Sequence, residues 1–248
     1  MILKSDLQSI ISKYFLNGLV ESVKWITTDN VLSIDFNTPS EDAIGSVIYK
    51  EFPLEDSEIG ILDTSKLNKL LGITTGLIDI KLQKTNKTYT KITLADTNYT
   101  LEFPLGDILL NQFKEPKKLK GDFSYQLQCE LSKEIIDNII KAKSALESTN
   151  VIFNIGQNFD GHQVFELIFG ESSTHSNRIS YIIPEVDLEG VMGDFSLPFD
   201  SEVLRSILSN NKDFDTANLY LNTQGLLKLH FENEKCESTY YILRKAPQ

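Results

Sequence analysis

A short internal repeat constrains the fold of this 248-residue chain more than any other feature. The segments 63–71 and 200–208 align without a gap: Asp opens both, and Leu or Ile occupies the same three later positions. Both follow a predicted strand and precede a predicted hairpin, and similar sequences end those hairpins at 99–104 and 240–243. Two amphipathic helices can match by chance, but the shared order of elements favours a duplicated domain. The length suffices for two domains of about 100–150 residues.

Alternation of apolar and polar residues with period two dominates the sequence and predicts many short strands. It is clear in 32–36 and 78–82, and the longest such run covers 123–131. The segments 158–161 and 222–225 have the composition of turns, which predicts hairpin connections there.

Only four segments have a helical period, and these span 5–16, 64–72, 132–146 and 201–211. Plausible N-caps begin each one, namely Ser5, Asp63 or Thr64, Ser132, and Asp200 or Ser201. Two helices in each half, set among many strands, predict an α+β fold of two similar domains. Two prolines, two glycines and several lysines lie between the halves, which predicts domain 1–113, linker 114–121 and domain 122–248. A long surface loop within one domain is the alternative that the repeat disfavours.

The composition is that of a globular protein with an excess of acid, since 24 Lys and Arg oppose 35 Asp and Glu for a net charge of −11. This charge argues against overall electrostatic attraction to nucleic acid, but it leaves a local basic surface open. Cys129 and Cys236 are predicted to be reduced and buried, as in a cytosol-like compartment. No apolar run approaches the roughly 18–20 residues of a membrane span, so we expect no membrane association.

Sequence signatures of an enzyme are missing. There is no Gly-rich phosphate loop after a strand, no His-Glu-x-x-His motif and no nucleophile elbow. The three histidines, His162, His175 and His230, lie far apart in the sequence. We therefore expect neither catalysis nor a cofactor or metal.

Basic residues on the four predicted helices are more informative. At 100° per residue most of them leave the apolar face, so we expect them to face solvent or a partner. Lys143 is the exception, because it falls close to the apolar stripe of its helix. Glu134 and Asp137 share the exposed side of that helix, so it is only mildly basic. An ordinary solvated helix face is the alternative interpretation of each lysine.

Three parts of the chain resemble the processivity sliding clamps of DNA polymerases, above all the T4-type bacteriophage branch. They are 59–73, the helix 131–143 with the strand 151–155, and the C-terminal hairpin 226–243. The element order matches over essentially the whole chain, with modest identity. The resemblance implies a DNA clamp fold, with antiparallel sheets outside and two helices per domain inside. It also implies a homotrimeric ring around double-stranded DNA, in the cytoplasm of a host cell if a phage encodes it.

The resemblance also implies which residues bind partners. The DNA-facing set is Lys4, Lys13, Lys66, Lys69, Lys133, Lys141, Lys143 and Arg205. A pocket for peptides of the DNA polymerase and other replication factors, with a clamp loader as a further partner, would involve Phe103, Pro104, Leu105, Ile242, Ala246 and Pro247. The alternative interpretation of this second set is ordinary core and tail residues.

Two other classes of protein compete with a clamp. A duplicated β-rich structural or virion protein would use the repeat as architecture, but it would not need lysines on all four helices. An enzyme of unknown type would be favoured by a bound metal or nucleotide in the purified protein.

Overall fold

A computed structural model describes residues 1–110, 113, 116, 119, 123–157, 160–170, 176–184, 186, 188 and 195–246. The chain divides into two compact units, the first formed by Met1–Lys118 with Asn233–Ser238 and the second by Leu119–Glu232 with Thr239–Gln248. Their division near residue 118 falls in the predicted linker, of which only Pro116 and Leu119 are described. The predicted second domain, 122–248, is not continuous, because 233–238 is grouped with the first unit. There the Lys50 N–H donates to the Lys235 carbonyl at 2.8 Å.

The described residues form four α-helices and sixteen strands. The helices are α1 (Lys4–Phe15), α2 (Thr64–Leu71), α3 (Lys133–Leu146) and α4 (Ser201–Asn210). The strands of the first half are β1 (Ile2–Leu3), β2 (Val23–Thr28), β3 (Val31–Asn37), β4 (Ala43–Tyr49), β5 (Ser57–Ile61), β6 (Leu77–Thr85), β7 (Thr88–Ala95) and β8 (Thr100–Pro104). Those of the second half are β9 (Leu127–Glu130), β10 (Asn150–Gln157), β11 (Gln163–Gly170), β12 (Arg178–Ile182), β13 (Phe195–Asp200), β14 (Thr216–Asn222), β15 (Leu226–Glu232) and β16 (Cys236–Leu243). No helix in these ranges is long and apolar enough to cross a membrane.

In the first unit two antiparallel arrays of strands run in the orders β1-β6-β7-β8 and β5-β2-β3-β4. Helices α1 and α2 pack against each other, α1 also on β4 and α2 on β8. The core includes Tyr14, Trp25 and Phe52, whose rings meet edge to face at centroid distances of 6.4 and 5.9 Å. Alternating burial along β3 and β4 follows from the pleat, because successive side chains point to opposite faces.

The second unit repeats this plan. Its strands run in the orders β12-β11-β10-β13 and β16-β15-β14-β9, and all the registered pairs are antiparallel. Helices α3 and α4 pack on each other, with α3 over β11 and β12 and α4 over β10 and β13. Phe153 lies at the centre of the core, with its ring 5.1 Å from that of Phe199. The duplicated α+β fold predicted from the repeat is confirmed.

The predicted N-caps are confirmed except at α1, and α2 and α4 end one residue before the predicted 72 and 211. Asp63, Ser132 and Asp200 accept hydrogen bonds from backbone N–H groups of the first turns of α2, α3 and α4. Ser5 is not the cap of α1, which begins one residue earlier, after Leu3, with no side-chain cap. The strand predicted over 123–131 is also shorter than its alternation, because only Leu127–Glu130 pairs with β14.

Both cysteines are buried thiols that form no disulfide with each other, as predicted. Burial raises the pKa of the Cys129 thiol to about 12, because the charged thiolate loses its hydration. This thiol therefore stays protonated near neutral pH.

Candidate nucleic-acid interface and partner surface

Helix α2 presents the clearest cationic surface of the first unit. Its N-cap Asp63 accepts the Lys66 N–H at 2.7 Å, and its buried face carries Leu67 and Leu71. Lys66 and Lys69 are exposed one turn apart, as their spacing predicts. Among the residues that the structure describes, neither ammonium forms an ion pair. Both can therefore approach an external anion without first giving up a carboxylate.

The two lysines of α1 are not available in this way, which corrects the sequence prediction. Lys13 is only 2% exposed, and its Nζ donates to Ser9 Oγ at 3.0 Å. Lys4 is half-buried, and its Nζ donates to the carbonyls of Gly72 (3.0 Å) and Thr74 (2.5 Å) beyond the end of α2. A cation at the C-terminal end of a helix compensates the carbonyl charge there, so Lys4 joins α1 to α2.

On α3 the exposed cations are Lys133 and Lys141. The Lys133 ammonium lies 5.7 Å from the centroid of the Phe214 ring, a cation–π contact that leaves its outer side open. Lys141 forms no ion pair within the described part of the chain. Buried Ile135, Ile136 and Ile139 anchor the opposite face of the helix.

Lys143 and Arg205 share one carboxylate. The burial of Lys143 corrects its place in the predicted set, whereas the Arg205 side chain is 40% exposed and its contact with DNA stays a prediction. Glu202 Oε1 lies 2.7 Å from Arg205 Nη1, and Glu202 Oε2 lies 3.6 Å from Lys143 Nζ. Lys143 is buried, because it lies on the apolar side of α3 as its spacing suggested. The packing of α3 on α4 thus brings together two cations from different helices.

One ion pair of the same helix layer was missed by sequence reasoning. Lys212, just beyond α4, places its Nζ 2.6 Å from Asp137 Oδ1 on α3. The hydrogen bond and positive charge of Lys212 hold the pKa of Asp137 below its ordinary value. The two residues are 75 positions apart, so no local spacing could have indicated the pair.

The predicted peptide-pocket residues divide into buried and exposed ones. Phe103 and Ile242 are buried in the cores of the first and second units, which corrects their assignment to a binding surface. Each is an inward position of an alternating strand. Pro104 and Ala246 are exposed and Leu105 is half-buried, whereas Pro247 lies outside the described residues.

Two exposed leucines that the sequence prediction overlooked follow β8. The Gly106 N–H donates to the Gly60 carbonyl at 2.8 Å, which returns the chain to β5. A Cβ on Gly60 would lie 2.8 Å from Phe113 Cζ, so glycine is required for this close approach. Phe113 is buried there, while Leu109 is 88% exposed and Leu110 is also exposed. The one sequence signal that could have identified Leu109 and Leu110 was that they lie close to the predicted linker.

Asp200 ties the C-terminal segment to the start of α4. Its Oδ1 accepts the N–H groups of Glu202 and Val203 at 2.9 and 3.0 Å, and its Oδ2 lies 2.7 Å from Lys245 Nζ. Lys245 also donates its N–H to the Pro198 carbonyl at 2.8 Å. Burial alone would raise the pKa of Asp200, but these donors outweigh it and hold the pKa below its ordinary value.

Replacing Asp200 by Ala is expected to lower the free energy of unfolding by about 1–2 kcal/mol, because the cap of α4 is lost. Asp200→Asn should cost less, because Asn also caps but does not pair with Lys245. The contribution of a depressed pKa is present above the unfolded-state pKa of about 3.9 and is lost as pH falls through the folded-state pKa. Urea unfolding at neutral and acidic pH measures both effects. An equal loss at both pH values would contradict the assignment.

Comparison with known proteins gives the fold. No protein-family model matches the chain, and no curated protein matches it. The proliferating cellular nuclear antigen (PCNA) of Entamoeba histolytica superposes with a TM-score of 0.72 at 15% identity, over 98% of this chain and 96% of that one. The A. fulgidus PCNA, solved with the C-terminal region of FEN-1 bound, gives 0.74 at 15% identity over 100% and 98%. The PCNA of Thermococcus kodakaraensis gives 0.73 at 13% identity over 99% and 98%.

This chain has the PCNA fold. The PCNA likeness confirms the predicted clamp-type architecture over both units, from the first strand to the last. At this level of identity individual residues differ throughout, so the roles of the lysines and of the apolar surface depend on the geometry described above.

Proposed function

We propose that this protein is a non-enzymatic sliding clamp of DNA replication, a homotrimeric ring that encircles duplex DNA and tethers a DNA polymerase. The full-length PCNA fold is the observation that carries the proposal. The exposed lysines of α2 and α3 add to it, because each unit then offers phosphate-binding groups from a helix. We also propose the phage-type branch, a clamp loader as partner and a location wherever the DNA is replicated.

Strand edges supply a route to ring closure. In the described residues β8 pairs only with β7 and β12 only with β11, so each presents a five-residue edge. The other edge strands of these two sheets, β1 and β13, are less available for pairing with a second chain. Strand β1 has only two residues, and β13 already accepts a hydrogen bond from the Lys245 N–H. Pairing β8 of one chain with β12 of the next is a head-to-tail contact, which generates a ring when it closes. It would also cover edges that otherwise invite aggregation.

Charge is compatible with such a ring. Three chains carry three times −11, or −33, so tight electrostatic capture of DNA is not the basis of retention. A closed ring is retained by topology, and a few weak phosphate contacts without sequence information then permit sliding.

The purified protein is expected to be a homotrimer of about 84 kDa, three times the chain mass of 28.1 kDa. Light scattering at micromolar concentration measures this mass directly. A variant of the β8 edge tests whether this strand joins two chains. Glu102→Pro is suitable because Glu102 is exposed, whereas replacing the buried Leu101 would disturb the fold. Proline removes a ladder donor, and we expect a shift toward monomer. A wild-type protein that is monomeric at every concentration would contradict the ring.

Topological retention on DNA tests the function itself. The protein is threaded onto linear duplex DNA, both ends are blocked with bulky protein caps, and the salt is raised to remove electrostatic binding. A clamp stays on the blocked DNA and leaves when one end is opened by a restriction enzyme. For a structural or virion protein, the amount retained on the DNA would be the same whether the ends were blocked or open. Primer extension with the cognate polymerase then tests processivity.

The apolar surface formed by Leu105, Leu109 and Leu110 is proposed to bind a peptide of the polymerase. Leu109 and Leu110 are exposed and Leu105 is half-buried, and neighbouring exposed apolar residues on an acidic protein are typical of a protein-binding surface. Replacing Leu105 and Leu109 by Ala is expected to weaken a labelled C-terminal polymerase peptide at least tenfold, about 1.4 kcal/mol. Leu77→Ala, another exposed leucine of the same unit, is the matched control. Deletion of 246–248 tests the predicted contribution of the tail separately. Unchanged affinity in both variants would place the peptide elsewhere.

A further inference from the structure

Glu202 occupies an unusual position among the charges of the proposed DNA-facing helices. It lies in the first turn of α4, and its two oxygens contact different cations, Arg205 at 2.7 Å and Lys143 at 3.6 Å. The Glu202 side chain remains 47% exposed. One accessible carboxylate therefore engages two cations, the partly exposed Arg205 and the buried Lys143, beside the surface where phosphates would pass.

The other cations of these helices differ in this respect. Lys66, Lys69 and Lys141 have no carboxylate within ion-pair distance among the described residues, and Lys133 contacts an aromatic ring instead. The cations of α2 and α3 named here are thus open to an external anion, whereas Arg205 and Lys143 are held by an acid of the protein.

Stability does not explain this arrangement. An exposed ion pair of this kind contributes only about 0–1 kcal/mol, and Glu202 would favour the helix N-terminus equally without its partners. Arg205 is also incompletely satisfied, because its Nε is buried and has no hydrogen-bond partner among the described residues. A guanidinium in this state can turn to a phosphate if its carboxylate loses charge, since two parallel N–H groups fit two phosphate oxygens.

We propose that Glu202 is an internal counterion that keeps Arg205 away from DNA phosphates, balances the charge of buried Lys143 beside it, and so limits the friction between ring and DNA. The inference rests on the proposed clamp function, and it assigns Glu202 as a positioning residue because it acts through these two cations. With Glu202 charged, fewer phosphates are neutralised and fewer counterions are released on binding. Loss of its charge allows the Arg205 guanidinium to contact phosphates and leaves the charge of Lys143 without its carboxylate, and both changes tighten binding and slow sliding.

Glu202→Gln tests the proposal, and Glu134→Gln is its matched control. Both residues are the second residue of their helix, both are acids in the first turn, and Glu134 is exposed with no ion pair among the described residues. Binding of full-length protein to a short fluorescent duplex is measured from about 50 to 200 mM salt. Each new phosphate contact should steepen the slope of log K against log salt by about 0.9. We expect Glu202→Gln to be steeper by about 1–2 and at least threefold tighter at the lowest salt.

The double variant Glu202→Gln with Arg205→Gln separates this role from a structural one. Removing the freed guanidinium should return the slope of log K against log salt most of the way to the wild-type value. If Glu202→Gln acted only by loosening α4, the second substitution would not restore that slope. Equal slopes for Glu202→Gln and Glu134→Gln, with wild-type protein still binding DNA, would overturn the counterion role and leave the clamp proposal intact. Absence of salt-dependent binding in every form, wild type included, would overturn the counterion role, because no phosphate contact would exist for Glu202 to limit, whereas the clamp proposal is tested separately by retention on end-blocked DNA.

Discussion

Replacing Phe103 by Ala is expected to lower the free energy of unfolding by about 3–5 kcal/mol. Phe103 is 2% exposed and lies opposite Ile92 in the β7–β8 pair, so truncation would leave a cavity in the core of the first unit. The cost combines lost transfer free energy with lost contacts around the cavity, because a close-packed interior relaxes only partly. Urea denaturation followed by tryptophan fluorescence measures it, since the single Trp25 lies in the same unit.

The neighbouring exposed residue provides the control for this prediction. Pro104→Ala should change the unfolding free energy by less than about 0.5 kcal/mol, as surface substitutions usually do. Phe103→Ala with near-native stability and weakened peptide binding would instead restore Phe103 to a binding surface. Similar losses of unfolding free energy in both variants would show that the stability of β8 is sensitive to any substitution and not to the loss of the buried ring.

Simultaneous replacement of Lys66, Lys69 and Lys141 by Glu is expected to reduce binding of duplex DNA at least about tenfold and to shorten primer extension accordingly. Each substitution replaces an attraction to phosphate with a repulsion. The trimer mass and the unfolding free energy should remain nearly constant, because all three side chains are exposed. Lys13 and Arg205 are left out of this variant, since each is already engaged inside the chain.

A variant with the same change of charge distinguishes a local effect from a global one. Lys50, Lys81 and Lys87 are exposed at or beside the strands of the first unit, and their replacement by Glu alters the net charge equally. We expect this control to retain most of the binding and processivity. Equal losses in both triple variants would show that net charge, and not the helix surface, controls DNA binding. Full activity of the helix variant would remove α2 and α3 from the interface.

Local patterns were sufficient for the secondary structure and for the duplication. The four helices follow from apolar residues at helical spacing, and three of their caps follow from Asp or Ser at the position before the first turn. Ser5 failed as a cap because Lys4 already has helical conformation after Leu3. The strand over 123–131 was overestimated because alternation indicates a possible pairing face, whereas a strand also needs a partner along its length.

The sequence could not predict which side chains contact each other. Helical geometry predicted that Lys13 leaves the apolar face of α1, and only the packed structure shows that it is covered and bonded to Ser9. Glu202, Asp137 and Lys212 acquire their significance from contacts between helices that lie far apart in the chain. Phe103 is similar, since a pocket wall and a core residue have the same apolar character in sequence.

The sequence by itself determined two α+β units, their four helices and a net charge that argues against overall electrostatic attraction to DNA. These properties depend on spacing and composition, which are local or additive along the chain. Tertiary structure decided which lysines are open, which carboxylates hold their neighbours and which apolar residues reach the surface. Those outcomes depend on which distant segments pack together, because burial and ion pairing are properties of neighbours in space.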